Sequence, residues 1–201
     1  MFNLTPQSLE NANIPREFWG AVFTDVPEIE AKKICLDFVN KFRGLPVPGL
    51  SLYLFGQSGV GKTFLSVCIA KYLMLLGKRV FLTSADDVVS GILNHSSEIN
   101  MEDHLRNVDV LILDDLGKEC SSKNLDPGAL TFASQKIFNI LKRRGENFKS
   151  SVITSNIPPG DIRGIYKEAF ASFFCGKFYS VKVEGADYRQ CQKEKIRECF
   201  I

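Results

Sequence analysis

The chain has 201 residues, 45% of them hydrophobic and 24% charged, which is enough to bury one substantial core, so one globular domain with a short appendage is expected. A formal net charge of +2 excludes the strongly basic footprint of a protein that coats nucleic acid, while leaving room for a local basic patch. No apolar run approaches the roughly 18 residues of a membrane span, and the opening MFNLTPQSLENANIP lacks the basic-then-apolar order of a secretion signal, which together point to an intracellular, cytoplasmic protein without a membrane partner.

The first predicted feature is an aromatic cluster in NIPREFWGAVF, residues 13–23, containing the single tryptophan and read as core rather than ligand pocket. Residues 26–44 then place Ile29, Ile34, Phe38, Val39 and Phe42 on one helical face, an amphipathic helix leading through LPVPG to a first strand at 50–55. Residues 62–77 read as a helix stopped by Gly77, 79–84 as a second strand, and ADDVVSGIL as a helix capped by Ser84 or Asp86. DVLILDD, 109–115, is apolar until its last two residues, the pattern of a central strand buried on both faces and ending in acid. A helix over 126–145 follows, with Pro127 near its start, Lys142, Arg143 and Arg144 in its last turn, and Gly145 as the stop. The three basic residues complement the helix dipole on a solvated face or touch nucleic acid, and the former is the blander reading. Strands at 150–156 and 178–183 enclose a helix at 165–174. Strands alternating with helices argue for a parallel sheet covered on both faces. The six cysteines, Cys35, Cys68, Cys120, Cys175, Cys191 and Cys199, form no C-x-x-C pair and read as buried or free thiols rather than a zinc or disulfide framework.

Gly56, Gly61, Lys62 and Thr63 fit G-x-x-x-x-G-K-[ST], with a strand before and a helix after, as a phosphate-binding loop requires. Glycines let backbone amides turn inward around phosphate oxygens, and the helix start adds unpaired amides and a positive dipole end. The loop Gly56, Gln57, Ser58, Gly59, Val60, Gly61, Lys62, Thr63 and Phe64 is therefore the expected nucleotide cradle. Lys62 would neutralise the β and γ phosphates of ATP and Thr63 would place its hydroxyl on magnesium. Asp114, at the end of the buried strand, would hold magnesium, and Asp115 beside it would orient the attacking water. Asn156 ends the fourth strand, where its amide can reach the γ phosphate or that water.

With these motifs in order, the chain resembles the DnaC/IstB-like branch of the AAA+ ATPases, the helicase loaders and transposition helpers. IPREFWGAVF resembles the family's N-terminal segment, LFGQSGVGKTFL its P-loop, VDVLILDDLGKE its Walker B strand, VITSN its first sensor, and VKVEGADYR its closing strand and G-x-D-Y-R signature. The resemblance implies a three-layer α/β P-loop NTPase with a five-stranded parallel sheet in the order 5-1-4-3-2 and no separate C-terminal lid domain. It also implies ATP and magnesium, self-association through neighbouring AAA+ subunits, and action on single-stranded DNA with a hexameric replicative helicase, or on a transposase. It divides the chain into an N-terminal segment and helix over 1–45, an ATPase domain over 46–190, and a tail over 191–201.

The sequence departs from the family twice. The place where the family carries an arginine finger is Ala171-Ser172-Phe173-Phe174, and Phe173 cannot supply that charge, so hydrolysis by the protein alone is expected to be slow, with Lys177 or Arg163 as weak substitutes. The P-loop opens at Gly56, leaving too little chain before it for a separate helicase-binding domain, as in a reduced family member from a phage or mobile element. The helicase contact then falls to residues 1–25 and the helix after them, or to another chain. Residues 83–104, near DNA in the family, hold no lysine or arginine, so DNA contact would lean on Lys142, Arg143, Arg144, Lys149 or the tail RQCQKEKIRECFI. Other readings are a transposition helper, a small-molecule P-loop kinase, and a non-catalytic ATP-binding adaptor.

Overall fold

The structure, a computed structural model, describes residues 4–43, 49–93, 98–118, 127–166 and 168–188. Arg189, the 191–201 tail, most of the LPVPG connection and Cys120, Cys191 and Cys199, all singled out in the sequence, lie outside the described residues. Five strands, β1 (Ser51–Phe55), β2 (Val80–Ser84), β3 (Val110–Leu116), β4 (Ser150–Ser155) and β5 (Phe178–Lys182), form one parallel sheet in the order β2-β3-β4-β1-β5. This is the order that the family resemblance implies.

Alternation along the strands divides the core into two layers. Leu52, Leu54, Val110, Ile112 and Val152 face one side of the sheet, and Tyr53, Leu111, Leu113 and Ile153 face the other. Both faces are apolar because both are covered, as right-handed β-α-β crossovers demand. The first layer is closed by α2 (Glu30–Lys41) and α3 (Lys62–Leu75). The second is closed by α4 (Ala85–Leu93), α5 (Glu98–Asn107), α6 (Pro127–Glu146) and α8 (Glu168–Lys177), the last preceded by the one-turn α7 (Ile162–Ile165). Ser84 caps α4 as predicted, accepting from the Asp87 amide at 3.0 Å.

The N-terminal segment belongs to the first layer. Helix α1 (Pro6–Asn11) opens with a capping box between Thr5 and Ser8, a signal that the sequence reading passed over. Leu9, Ala12, Ile14, Ala21, Val26, Ala31, Cys35, Phe38 and Val39 are buried in the same cluster as the strands. The larger of these, Leu9, Ile14, Val26, Phe38 and Val39, each contribute on the order of 1.5–3 kcal/mol by leaving water. The Leu82 amide donates to Ala12 O and the Asn13 side chain donates to Leu82 O, so this segment covers the exposed edge of β2. Lys71 of α3, itself buried, donates to the carbonyls of Trp19 and Ala21, and burial lowers its pKa. The aromatic cluster is core, as read: Phe18 meets Phe64 and Phe23 meets Tyr72, each edge to face at 6.4 Å. Cys35 and Cys68 are buried thiols of this layer, both pushed up to about 12 chiefly by burial.

Three sequence expectations are corrected. The predicted helix over 165–174 is α8, shifted on to Glu168–Lys177, with the separate turn α7 ending at Ile165 and Tyr166 stacking on Phe170 at 4.4 Å. Helix α5 was not anticipated. Gly145 does not end α6; a Cβ there would lie 3.2 Å from the Phe173 ring, so the glycine lets α8 approach, and the chain instead turns at Phe148, φ 54°.

Candidate functional site

The Gly56–Thr63 loop joins the carboxyl end of β1 to α3, at the sheet edge where the strand order reverses between β1 and β4. Gly56, Gly59 and Gly61 have φ of 156°, 86° and 93°, and Gly61 in the left-handed region directly precedes the helix. Space as well as φ requires glycine here: a Cβ on Gly56 would lie 2.2 Å from Val183 O, and one on Gly59 2.0 Å from Asp187 Oδ1. The Tyr188 amide donates to Gly59 O at 3.1 Å. The G-A-D-Y stretch after β5 thus walls one side of the loop, an assignment the signature alone did not make. Val60 is packed in the core, and Phe64 rests half-buried on Phe18. Gln57 and Ser58 are exposed at the loop's tip.

Lys62 is 5% exposed and its Nζ donates to Gly56 O at 3.0 Å, Gln57 O at 2.7 Å and Asn156 Oδ1 at 2.7 Å. The residue at the end of β4 therefore meets the loop lysine across the β1–β4 pair. Thr63 Oγ1 donates toward Asp114 Oδ1 and Oδ2 at 3.0 and 3.1 Å. A hydroxyl beside a carboxylate is a hard, all-oxygen donor set, the kind magnesium takes when one carboxylate, a substrate phosphate and water complete the shell. Among the described residues no three His, Cys, Asp or Glu side chains gather as a metal site. Four expected residues, Lys62, Thr63, Asp114 and Asn156, thus share one edge. Asp115 stands next to them in left-handed backbone, φ 56°, its carboxylate 3.6 Å from Lys118 Nζ.

Burial, reinforced by the neighbouring Asp115, raises the Asp114 pKa above the usual carboxylate value, against the opposing bond from Thr154. A raised acid pKa means the folded chain holds this proton more tightly than the unfolded chain, so the stability cost is absent in acid and appears as pH climbs through the folded pKa. Asp114→Asn is therefore expected to raise the unfolding temperature at pH 7. The gap should close toward pH 4. Thermal melts at the two pH values check it, and a lower melting point at pH 7 would contradict it.

The basic run at the end of α6 is not one solvated face. Arg144 is 1% exposed and donates to Ser151 Oγ at 3.0 Å, Leu105 O at 2.6 Å and Val108 O at 3.0 Å, so it cannot touch DNA. Lys149 points at Asn107 O and Asp109 Oδ1. Lys142 and Arg143 do reach solvent, in a groove of about 520 Å³ shared with Glu102, Arg106, Lys136 and Glu146. Phe173 is half-buried, its ring edge-on to Phe138 at 5.7 Å and Phe178 at 6.3 Å. Lys177 is exposed and Arg163 pairs with Glu168 at 2.9 Å.

A family model described as IstB-like ATP binding protein matches residues 36–195. The chain is 30% identical over 121 residues to the replicative helicase loader DnaC of Buchnera aphidicola subsp. Baizongia pistaciae, covering 57% of this chain and 45% of that protein. It is 27% identical over 157 residues to the chromosomal replication initiator protein DnaA of Leifsonia xyli subsp. xyli, covering 73% and 32%. The chain thus spans between about a third and a half of the length of these two relatives. A crystal structure of the DnaC helicase loader superposes with a TM-score of 0.69 at 23% identity, over 85% of this chain and all of that one, a likeness of fold. No helix among the described residues is long and apolar enough to cross a membrane.

Proposed function

Because the chain belongs to the IstB-like ATP-binding protein family, a branch of the AAA+ ATPases, we propose that it binds magnesium-ATP on the Gly56–Thr63 loop, hydrolyses it slowly, and uses it to control assembly with a hexameric replicative helicase at single-stranded DNA. The observation that carries the nucleotide part is the meeting of Lys62, Thr63, Asp114 and Asn156 at one sheet edge. Lys62 would exchange the carbonyls of Gly56 and Gln57 for β- and γ-phosphate oxygens, and Thr63 with Asp114 would hold magnesium, which neutralises charge on the transferring phosphoryl group. Asp115 would orient the attacking water, and Asn156 would steer the γ phosphate or that water.

Slow turnover follows from Phe173: an arginine finger contributes about 10³ to 10⁵ in rate, and this side chain instead holds α8 to α6. A partner's arginine would restore it, making the nucleotide a timer. Similarity to a DnaC loader supports the helicase, and self-association through AAA+ faces accompanies it. Any single-stranded DNA contact would fall to Lys142, Arg143 or the tail RQCQKEKIRECFI, since Arg144 is buried and Lys149 is turned to Asn107 and Asp109. The family's own name supports a second reading, an IstB-type transposition helper, and Phe173 supports a third, an ATP-binding adaptor without turnover.

Tagged parent and Lys62→Ala should be used to capture partners from host lysate in ATP and in ADP, with phosphate release measured before and after adding the captured partner. Retention of a hexameric helicase by the parent alone, in one nucleotide state and with accelerated turnover, is the expected result. Capture of a transposase would favour the second reading, and no partner would favour the adaptor. A brisk basal rate that survives mutation of both Arg163 and Lys177 would overturn the account of Phe173.

A further inference from the structure

The β3–β4 ladder pairs Leu113 with Ile153 and Leu116 with Ser155, so the Asp114–Asp115 pair stands opposite the single residue Thr154. Two residues facing one is a β-bulge, which bends a strand and re-aims its side chains. It puts Asp115 in left-handed backbone, an unfavourable conformation for a residue with a Cβ that needs outside support. Thr154 supplies that support. It is fully buried, with 0% of its surface exposed. Its Oγ1 donates to Asp114 Oδ1 at 2.5 Å and accepts from the Asp115 amide at 2.9 Å. One hydroxyl proton and one lone pair are thereby committed to the two neighbouring acids, and Thr63 Oγ1 reaches both oxygens of the Asp114 carboxylate at 3.0 and 3.1 Å.

Resting on the ATPase reading above, we propose that Thr154 is a positioning residue for hydrolysis: its hydroxyl fixes the carboxylate plane of Asp114 and the backbone turn at Asp115 together. A buried group that orients a metal-holding carboxylate acts on metal affinity and turnover more than on the phosphate cradle, which Thr154 does not touch. The rest of β4 divides the work among other hydroxyls. Ser155 Oγ donates to Leu116 O and accepts from the Ile157 amide, closing the far side of the bulge, and Ser151 accepts from Arg144 at the opposite end of the strand.

Thr154→Val keeps the shape and removes the hydroxyl, while Thr154→Ser keeps the hydroxyl and removes the methyl. The valine variant is expected to lower kcat by about 10- to 100-fold, with KM for ATP within threefold of the parent and a higher magnesium concentration for half-maximal rate. The serine variant is expected to recover most of the rate and the parental magnesium requirement. A second readout needs no turnover: hydrogen exchange at the Asp115 amide should accelerate in the valine variant and stay protected in the serine variant. If the parent hydrolyses ATP and the valine variant matches it in kcat and magnesium dependence, the positioning role is wrong while the ATPase reading stands. Equal impairment of the serine and valine variants would also overturn it, since the methyl group would then be what matters. If the parent hydrolyses no ATP but the amide follows the predicted pattern, Thr154 holds the bulge as proposed and the ATPase reading fails.

Discussion

Lys62→Ala is expected to weaken ATP binding by about 10² or more and to abolish measurable hydrolysis, because truncating one partner of a buried, hydrogen-bonded charge pair costs on the order of 2–5 kcal/mol. The side chain reaches both the loop carbonyls at Gly56 and Gln57 and the Asn156 amide oxygen. Its loss would remove the charge proposed to meet the phosphates and also disconnects Asn156, after β4, from the loop. The glycine backbone and the start of α3 remain, so residual affinity for ADP should exceed that for ATP. Isothermal titration with both nucleotides measures this, and circular dichroism confirms that the variant is folded. A folded variant that binds ATP within threefold of the parent would show that the loop is no triphosphate site.

A second large effect is expected far from that edge, and on stability alone. Arg144 is buried at the start of β3 and β4, where its guanidinium gathers the carbonyls of Leu105, Val108 and Ser150 and the Ser151 hydroxyl. Burial pulls its pKa down to about 10, with the charge of Asp109 pulling it back up, so the group stays cationic at neutral pH. Those four acceptors belong to the last turn of α5, the turn after it and the start of β4, which makes this side chain the tie between α6, α5 and the sheet. Arg144→Met fills similar volume but strands the acceptors, and should destabilise the fold by about 3–5 kcal/mol. In a chain of this length that is a fall of roughly 6–20 °C in Tm. Arg144→Lys should recover less than half, since a point charge cannot span a fork of acceptors. Denaturant melts test the order parent, lysine, methionine. A methionine variant as stable as the parent would mean that water replaces the guanidinium there. Nucleotide affinity of any folded fraction should be unchanged, because the tie lies at the opposite end of the strands from the loop.

The contrast between these two residues marks how much was legible in the sequence. Lys62 stands where the sequence places it, at the junction of the glycine loop and α3, because the determinants of such a loop are adjacent in the chain and glycine marks them. The two acids are read because an apolar strand that ends in charge has one place to go, the carboxyl edge of a covered parallel sheet. Arg144 is misread because its three-residue basic run looks the same whether it faces water or a neighbouring turn. Helical period alone does not tell that the carbonyls after α5 approach from the side of Arg144 rather than from that of Lys142 or Arg143. A usable signal was nonetheless present in β4: a strand of six wholly buried residues carries four hydroxyls, Ser150, Ser151, Thr154 and Ser155. Buried hydroxyls need partners, and three of these four mark contacts that hold the acids, the bulge and Arg144.

What the sequence determined by itself was the local grammar: the strand and helix periods, the glycine loop, and the acids at the strand end, each set by neighbours within a few residues. The family resemblance carried the strand order. Only the tertiary structure decided that Thr154 faces two acids through a bulge, that Asp187 and Tyr188 wall the P-loop, that the N-terminal segment closes the β2 edge, and that Arg144 is interior. These depend on register and on contacts between residues far apart in the chain, and a one-residue slip in pairing reverses which side chain faces which.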